Sequence, residues 1–106
     1  MMDFLYKKPF LKKFASCDAN SQKLIVLAEN EIQRYYIFKI ASFGLRIKKL
    51  YDNGKEKVYE ARVSDKIRIV WIESKNLVVF SLLGNHNEIH RYLKNFYYFK
   101  SRKYYF

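Results

Sequence analysis

Apolar residues recur at helical spacing from the start of the chain. Phe10, Leu11 and Phe14 follow Pro9, which suits the first turn of a helix, and Asp18-Ala19-Asn20-Ser21 interrupts them with capping chemistry. This pattern predicts a short first helix. From about Ala19 onward, Leu24, Leu27, Ala28, Ile32, Tyr35 and Tyr36 repeat at three and four, while Lys23, Glu29, Asn30 and Gln33 face elsewhere. A longer second helix is expected. Only a few residues join the two, so they should form an antiparallel hairpin whose apolar stripes cover a sheet.

After Gly44 the period changes to two. Leu45 and Ile47 alternate with Arg46 and Lys48, and Asp52-Asn53-Gly54 supplies a turn. Three runs rich in β-branched and aromatic residues follow, Lys57 to Val63, Lys66 to Glu73 and Leu77 to Leu83, separated by Ser64-Asp65 and by Ser74-Lys75-Asn76. They predict an antiparallel meander of about four strands. Asn87 to about Phe99 carries Ile89, Tyr92, Leu93 and Phe96 at helical spacing and reads as a third helix packed on the sheet end. The fold class expected is α+β: a helical hairpin on a small antiparallel sheet, closed by a C-terminal helix, with an aromatic and basic tail from about residue 97.

At 106 residues the chain has room for one domain, which spans 1–106 and excludes multi-domain enzymes. Half of the residues are hydrophobic and 19% are aromatic, well above the regime where disorder is expected. The single cysteine, Cys17, allows no internal disulfide and no thiolate-rich zinc site, which fits a reducing cytoplasm. No apolar stretch approaches the roughly 18 to 20 residues that span a bilayer. The early Asp3, Lys7 and Lys8 stand in the wrong order for a signal peptide, so secretion is not expected.

Charge sharpens the picture. The formal net charge is +11; residues 1–44 hold seven basic and four acidic side chains, and residues 45–106 hold fourteen and six. A compact domain with this excess attracts polyanions, nucleic acid first among them, and the binding surface should be C-terminal.

If the chain turns at Ser64-Asp65-Lys66, Val63 pairs with Ile67, Ala61 with Ile69 and Tyr59 with Trp71 on one apolar face. The same register sets Arg62 directly opposite Arg68 on the other face, a like-charge pair that stability alone would not select. Three readings stay open: Glu60, on the same strand and face, neutralises the pair, both guanidinium heads spread into water, or the arginines are held for a ligand. After the most apolar strand comes Gly84-Asn85-His86-Asn87-Glu88-Ile89-His90-Arg91, with both histidines of the chain. Histidine is suited to proton transfer near neutral pH, and residues four apart share a helical face. Against this stands ordinary capping by Asn85 or Asn87, with the histidines as surface residues. Histidines at i and i+4 can also clamp a metal, but the glutamate spacing departs from the metalloprotease pattern and no third ligand is near, so no metal cofactor is expected.

The segments Lys57 to Val63, Lys66 to Trp71 and Leu77 to Phe80, followed by Gly84-Asn-His86-Asn-Glu88-Ile-His90-Arg91, resemble the RelE/ParE superfamily of toxins from bacterial toxin–antitoxin pairs. The resemblance covers roughly residues 3–95 and includes the helical hairpin. It implies a RelE-like fold and, in the ribonuclease branch, a metal-independent endoribonuclease that cuts mRNA, usually within a translating ribosome, and is held inactive by a cognate antitoxin. On this resemblance Arg62, Arg68, His86 and His90 are the catalytic candidates: Arg62 matches a basic position on the second sheet strand, Arg68 the arginine near the scissile phosphate, and His86 the Gly-x-His histidine of one branch. His90 stands near the tyrosine of a Glu-x-Tyr-Arg sequence in several members, and Glu60 takes a position that is basic in some nucleases. Lys48, Lys49, Lys57, Lys66 and Arg91 are the expected RNA-binding residues. Two alternatives are a ParE-like gyrase-inhibiting toxin without nuclease activity, and a non-catalytic RNA- or ribosome-binding protein that uses the tail Phe96 to Phe106, where aromatics interleave with cations that can stack on bases.

Overall fold

The architecture follows from a sheet that is apolar on both faces. The computed structural model describes residues 1–40 and 44–103, with side chains described through residue 94. Strands β1 (Asp3–Tyr6), β2 (Lys48–Asp52), β3 (Lys57–Arg62), β4 (Arg68–Ser74) and β5 (Leu77–Gly84) form a sheet in the order β1-β5-β4-β3-β2. Helices α1 (Lys8–Ser16) and α2 (Ala19–Phe38) lie on one face and α3 (His86–Lys103) on the other. Strand alternation, reset in β5 by a bulge between Phe80 and Leu82, sends Ala61, Ile69, Trp71, Phe80 and Leu83 toward α1 and α2, where Phe10, Ile25, Ala28, Ile32 and Tyr36 complete the main core. The opposite face carries a smaller core of Val58, Val70 and Ile72, covered by Ile89, Tyr92 and Leu93 of α3.

The expected hairpin register is observed. Ala61 pairs with Ile69, Tyr59 with Trp71 and Arg62 with Arg68, and the Val63 N–H donates to the Ile67 carbonyl at 2.9 Å. Ser64 makes the glycine-free loop workable because its Oγ accepts from the Lys66 and Ile67 N–H groups. The turn before β3 uses Asp52 and Asn53 in the same way: Asp52 Oδ1 accepts from the N–H of Gly54, whose φ is +89°, and Asn53 Oδ1 accepts from Glu56 N–H at 2.7 Å.

Three expectations need correction. The sheet is mixed, not a four-stranded antiparallel meander, because β1 adds an edge parallel to β5, with Phe4 opposite Val78 and Tyr6 opposite Phe80. Four residues without clean alternation carry little local signal, and their partner lies more than 70 positions away. The helical hairpin is also less self-contained than expected: α1 packs chiefly on β5 through Phe10, whose ring lies 5.8 Å from that of Phe80. Finally, the buried stripe of α2 is Ile25, Ala28, Ile32 and Tyr36, whereas Leu24, Leu27 and Tyr35 are 38%, 54% and 40% exposed. Apolar residues stand on nearly every side of this helix, so periodicity could not choose between two stripes. Tertiary chemistry chose: Tyr36 Oη accepts a buried hydrogen bond from Trp71 Nε1 at 2.9 Å. No helix among the described residues is long and apolar enough to cross a membrane. The tail from Phe96 to Phe106, including Lys103, lies outside the residues whose side chains are described.

Candidate active site

The end of the sheet where β3 and β5 finish and β4 begins gathers the candidate residues. Register places Arg62, Arg68 and Gly84 in one row across three strands, about 10 Å from first to last at the usual strand spacing. His86 follows Gly84 by two residues and is the first residue of α3. Asn85 fixes that entry. Its Oδ1 accepts from Glu88 N–H at 2.9 Å, while Glu88 Oε1 accepts from Asn85 N–H at 3.0 Å, a reciprocal capping box. Gly84 leaves the room this requires, because a Cβ there would stand 3.0 Å from Glu88 Cβ. Lys13 of α1 reaches across to Glu88 at 3.1 Å. The Asn85 N–H bond, assisted by Lys13, holds the Glu88 carboxyl below its ordinary range.

With the helix start fixed, His86 and His90 stand one turn apart on the same face. Both are exposed, their ring centroids are 5.3 Å apart, and their planes differ by 29°. The capping reading and the paired-histidine reading therefore both describe this segment.

Of the two arginines, Arg68 is committed. Its Nη1 donates to Glu60 Oε1 at 3.0 Å, and Glu60 is 7% exposed. Neutralisation by Glu60 is thus how the fold tolerates Arg62 opposite Arg68. Arg62 is half-buried, donates its backbone N–H to the Leu45 carbonyl, and has no ion-pair partner among the described residues. A guanidinium has five N–H donors, so Arg68 can hold Glu60 and still face an anion.

A groove of about 720 Å³ of mixed polar and apolar lining meets this row at Gly84, bordered by Lys13, Asp18, Ser64, Lys66, Asn85 and His86, among others, and by neither arginine. His86 joins the groove to the proposed histidine pair. The expected RNA-binding lysines divide. Lys66 lines the groove, and Lys48 is exposed on β2 opposite Glu60, beside the arginine row. Arg91 is exposed on α3, and its charge adds to that of Lys13 at Glu88. Lys49 is tied to Asp52 at 3.0 Å and sits opposite Tyr59, on the other face. Lys57 begins β3 opposite Glu73, five residues and about 17 Å from Arg62, so the fold does not bring it to the site. Lys13 was missed by sequence reasoning, since nothing local marks a lysine that meets its partner 75 residues on. Glu88 could have been found from the Asn-x-x-Glu spacing. Among the described residues no group of three or more histidine, cysteine or acidic side chains is placed to hold a metal ion.

No protein-family model and no curated protein sequence matches the chain. Solved structures do. The archaeal RelE–RelB complex from Pyrococcus horikoshii OT3 superposes with a TM-score of 0.65 at 14% identity, covering 79% of this chain and 93% of that one. The chain has the RelE fold. The same fold relates it to the RelB–RelE antitoxin–toxin complex from Methanococcus jannaschii, with a TM-score of 0.60, 23% identity and coverage of 83% and 96%. It also matches the DinJ–YafQ complex from E. coli, with a TM-score of 0.57, 16% identity and coverage of 83% and 97%. The RelE fold accounts for the helix–sheet–helix layering and for the strand row that ends at His86; fold alone does not assign chemistry, which rests on the side chains of this chain.

Proposed function

We propose that this protein is the toxin of a toxin–antitoxin pair and acts as a metal-independent endoribonuclease that cleaves mRNA on the ribosome and thereby inhibits translation. The observation that carries this reading is the backbone register that sets Arg62, Arg68 and, two residues past Gly84, His86 at one end of the sheet, next to a groove that His86 lines, on a chain of net charge +11. Relatives in fold include toxins solved with RelB and DinJ, which supports a cognate antitoxin partner that covers this surface. The gyrase-inhibiting alternative draws no support from these structures.

RNA carries its own nucleophile, so the protein has little covalent work to do. The 2′-oxygen attacks the adjacent phosphorus, the bond to the 5′-oxygen breaks, and a 2′,3′-cyclic phosphate forms. One histidine of the His86/His90 pair takes the 2′-hydroxyl proton, and the other protonates the departing 5′-oxygen. Arg62 and Arg68 direct N–H donors at the phosphorane oxygens as charge accumulates there. Lys48, Lys66 and Arg91 bind flanking phosphates. The need for a 2′-hydroxyl makes DNA inert.

The test is cleavage of mRNA on programmed ribosomes by the purified chain in the presence of a chelator, with a 2′,3′-cyclic phosphate at the new end. Intact RNA would refute the nuclease assignment, and ribosome binding without cleavage would move the protein to the binding-only class.

A further inference from the structure

We propose that Lys13 and Glu88 are positioning residues for the histidine pair: their ion pair straps the start of α3 to α1 and so fixes where His86 and His90 stand relative to the arginine row. The effect on cleavage rests on the nuclease assignment above, whereas the effect on the histidines rests on geometry alone.

Both histidines are exposed and stack on each other, so neither is wedged into a core. Ile89 between them ties this turn to the sheet, 2% exposed and packed with Val58, Val70 and Ile72. One buried anchor leaves a turn free to tilt about it. Two further attachments remove that freedom. The first is local, the Asn85–Glu88 capping box that joins α3 to the end of β5. The second comes from the other face of the sheet, where Lys13 Nζ donates to Glu88 Oε2 at 3.1 Å and to Oε1 at 3.4 Å across 75 positions of sequence.

Both ends of the strap are themselves held. Lys13 lies in the last turn of α1, and its carbonyl accepts from Ser16 Oγ at 2.7 Å and from Cys17 Sγ at 3.2 Å. Gly84 lets the Glu88 side chain fold back over the end of β5, since a Cβ there would stand 3.0 Å from Glu88 Cβ and 3.3 Å from Oε1. That same Oε1 receives the Asn85 N–H at 3.0 Å, so one carboxylate serves the helix start and the lysine together.

With side chains 41% and 38% exposed, the pair stabilises the fold little, and its removal leaves the domain folded. Its weight falls on geometry, because a displacement of about 1 Å at a catalytic group costs about 10²-fold in rate. Lys13 also borders the groove beside His86, where a cation could instead contact a phosphate. The two roles part in experiment. A phosphate contact acts through RNA affinity and is independent of Glu88; a positioning residue acts through Glu88 and leaves affinity alone.

The Cε1–H resonances of the two histidines read the geometry of the full chain without any RNA. Each resonance should move the same way in Lys13→Met and in Glu88→Gln, since both release the strap while glutamine keeps the acceptor for the Asn85 N–H. A bare charge effect would move them in opposite directions, one variant losing a cation and the other an anion. Lys12→Met, which removes a charge from the exposed side of α1, should leave them in place. Resonances that stay put or move oppositely in the two strap variants overturn the proposal. In single-turnover cleavage each strap variant should lose about tenfold or more in rate, and the double variant no more than either single one. Lys13→Arg should recover the rate to within about twofold, with RNA affinity unchanged throughout. Additive losses, or a loss confined to affinity, make Lys13 an RNA contact and overturn the positioning role. If the wild type does not cut RNA, the nuclease reading fails while the resonances still decide the strap.

Discussion

Glu60→Gln separates the structural work of the arginine row from its chemical work. Glu60 is 7% exposed, and the Arg68 side chain it holds at 3.0 Å is 25% exposed. Breaking a fully buried ion pair costs about 3–5 kcal/mol, and an exposed one about 0–1 kcal/mol. This pair lies between those limits, and glutamine keeps the volume and one acceptor for Arg68, so about 2 kcal/mol is expected. In a domain of this size each kcal/mol shifts the melting temperature by about 4–8 °C, which puts the variant about 8–16 °C lower. Arg62 then faces Arg68 without a neutralising carboxylate, so added salt should recover part of the loss. RNA affinity should move the other way, because Arg68 no longer shares its charge with Glu60. Thermal unfolding followed by circular dichroism at two salt concentrations, with filter binding of a short RNA, measures both. A melting temperature within 2 °C of wild type, or an RNA affinity that falls along with stability, would refute the reasoning, since a merely damaged fold cannot bind more tightly.

Other expectations are more direct. His86→Ala or His90→Ala should lower ribosome-dependent cleavage by about 10²–10⁴ with little change in ribosome affinity, as measured by single-turnover kinetics against sedimentation binding. Tyr36→Phe removes the acceptor of a buried indole N–H and should cost about 1–3 kcal/mol in urea unfolding. Because the folded Glu88 carboxyl is held below its ordinary value of 4.5, the stability it contributes is fully present above that pH and is lost as pH falls through the lowered value; acid titration of Glu88→Ala should show a shallower loss than wild type in that window. Binding to RNA should weaken steeply with salt, with Lys48→Ala and Lys66→Ala each reducing the salt slope by about one and Lys57→Ala leaving it unchanged.

Much of this molecule was written locally. The β-branched and aromatic runs from Lys57 through Leu83 predicted strands, and pairing Ala61 with Ile69 and Tyr59 with Trp71 predicted the register and the face that carries Arg62 and Arg68, because a one-residue slip would have turned the arginines toward the main core. Pro9, the Asn85/Asn87 pair and the Asp52-Asn53-Gly54 turn announced helix starts and a hairpin, since capping and turn chemistry act within a few residues, and the structure makes Asn85 the cap. The candidate histidines were legible for the same reason, their spacing being that of a helix turn. What the tertiary structure decided were contacts between segments distant in the chain: β1 found its partner across more than 70 residues, Lys13 met Glu88, and Trp71 selected which apolar stripe of α2 would be buried. The division of the lysines followed as well. Lys57 and Lys66 look alike in sequence, but opposite ends of one hairpin put only Lys66 beside the groove. Charge and periodicity are summed along the chain, whereas a site is a meeting in space, and only the folded sheet brings its members together.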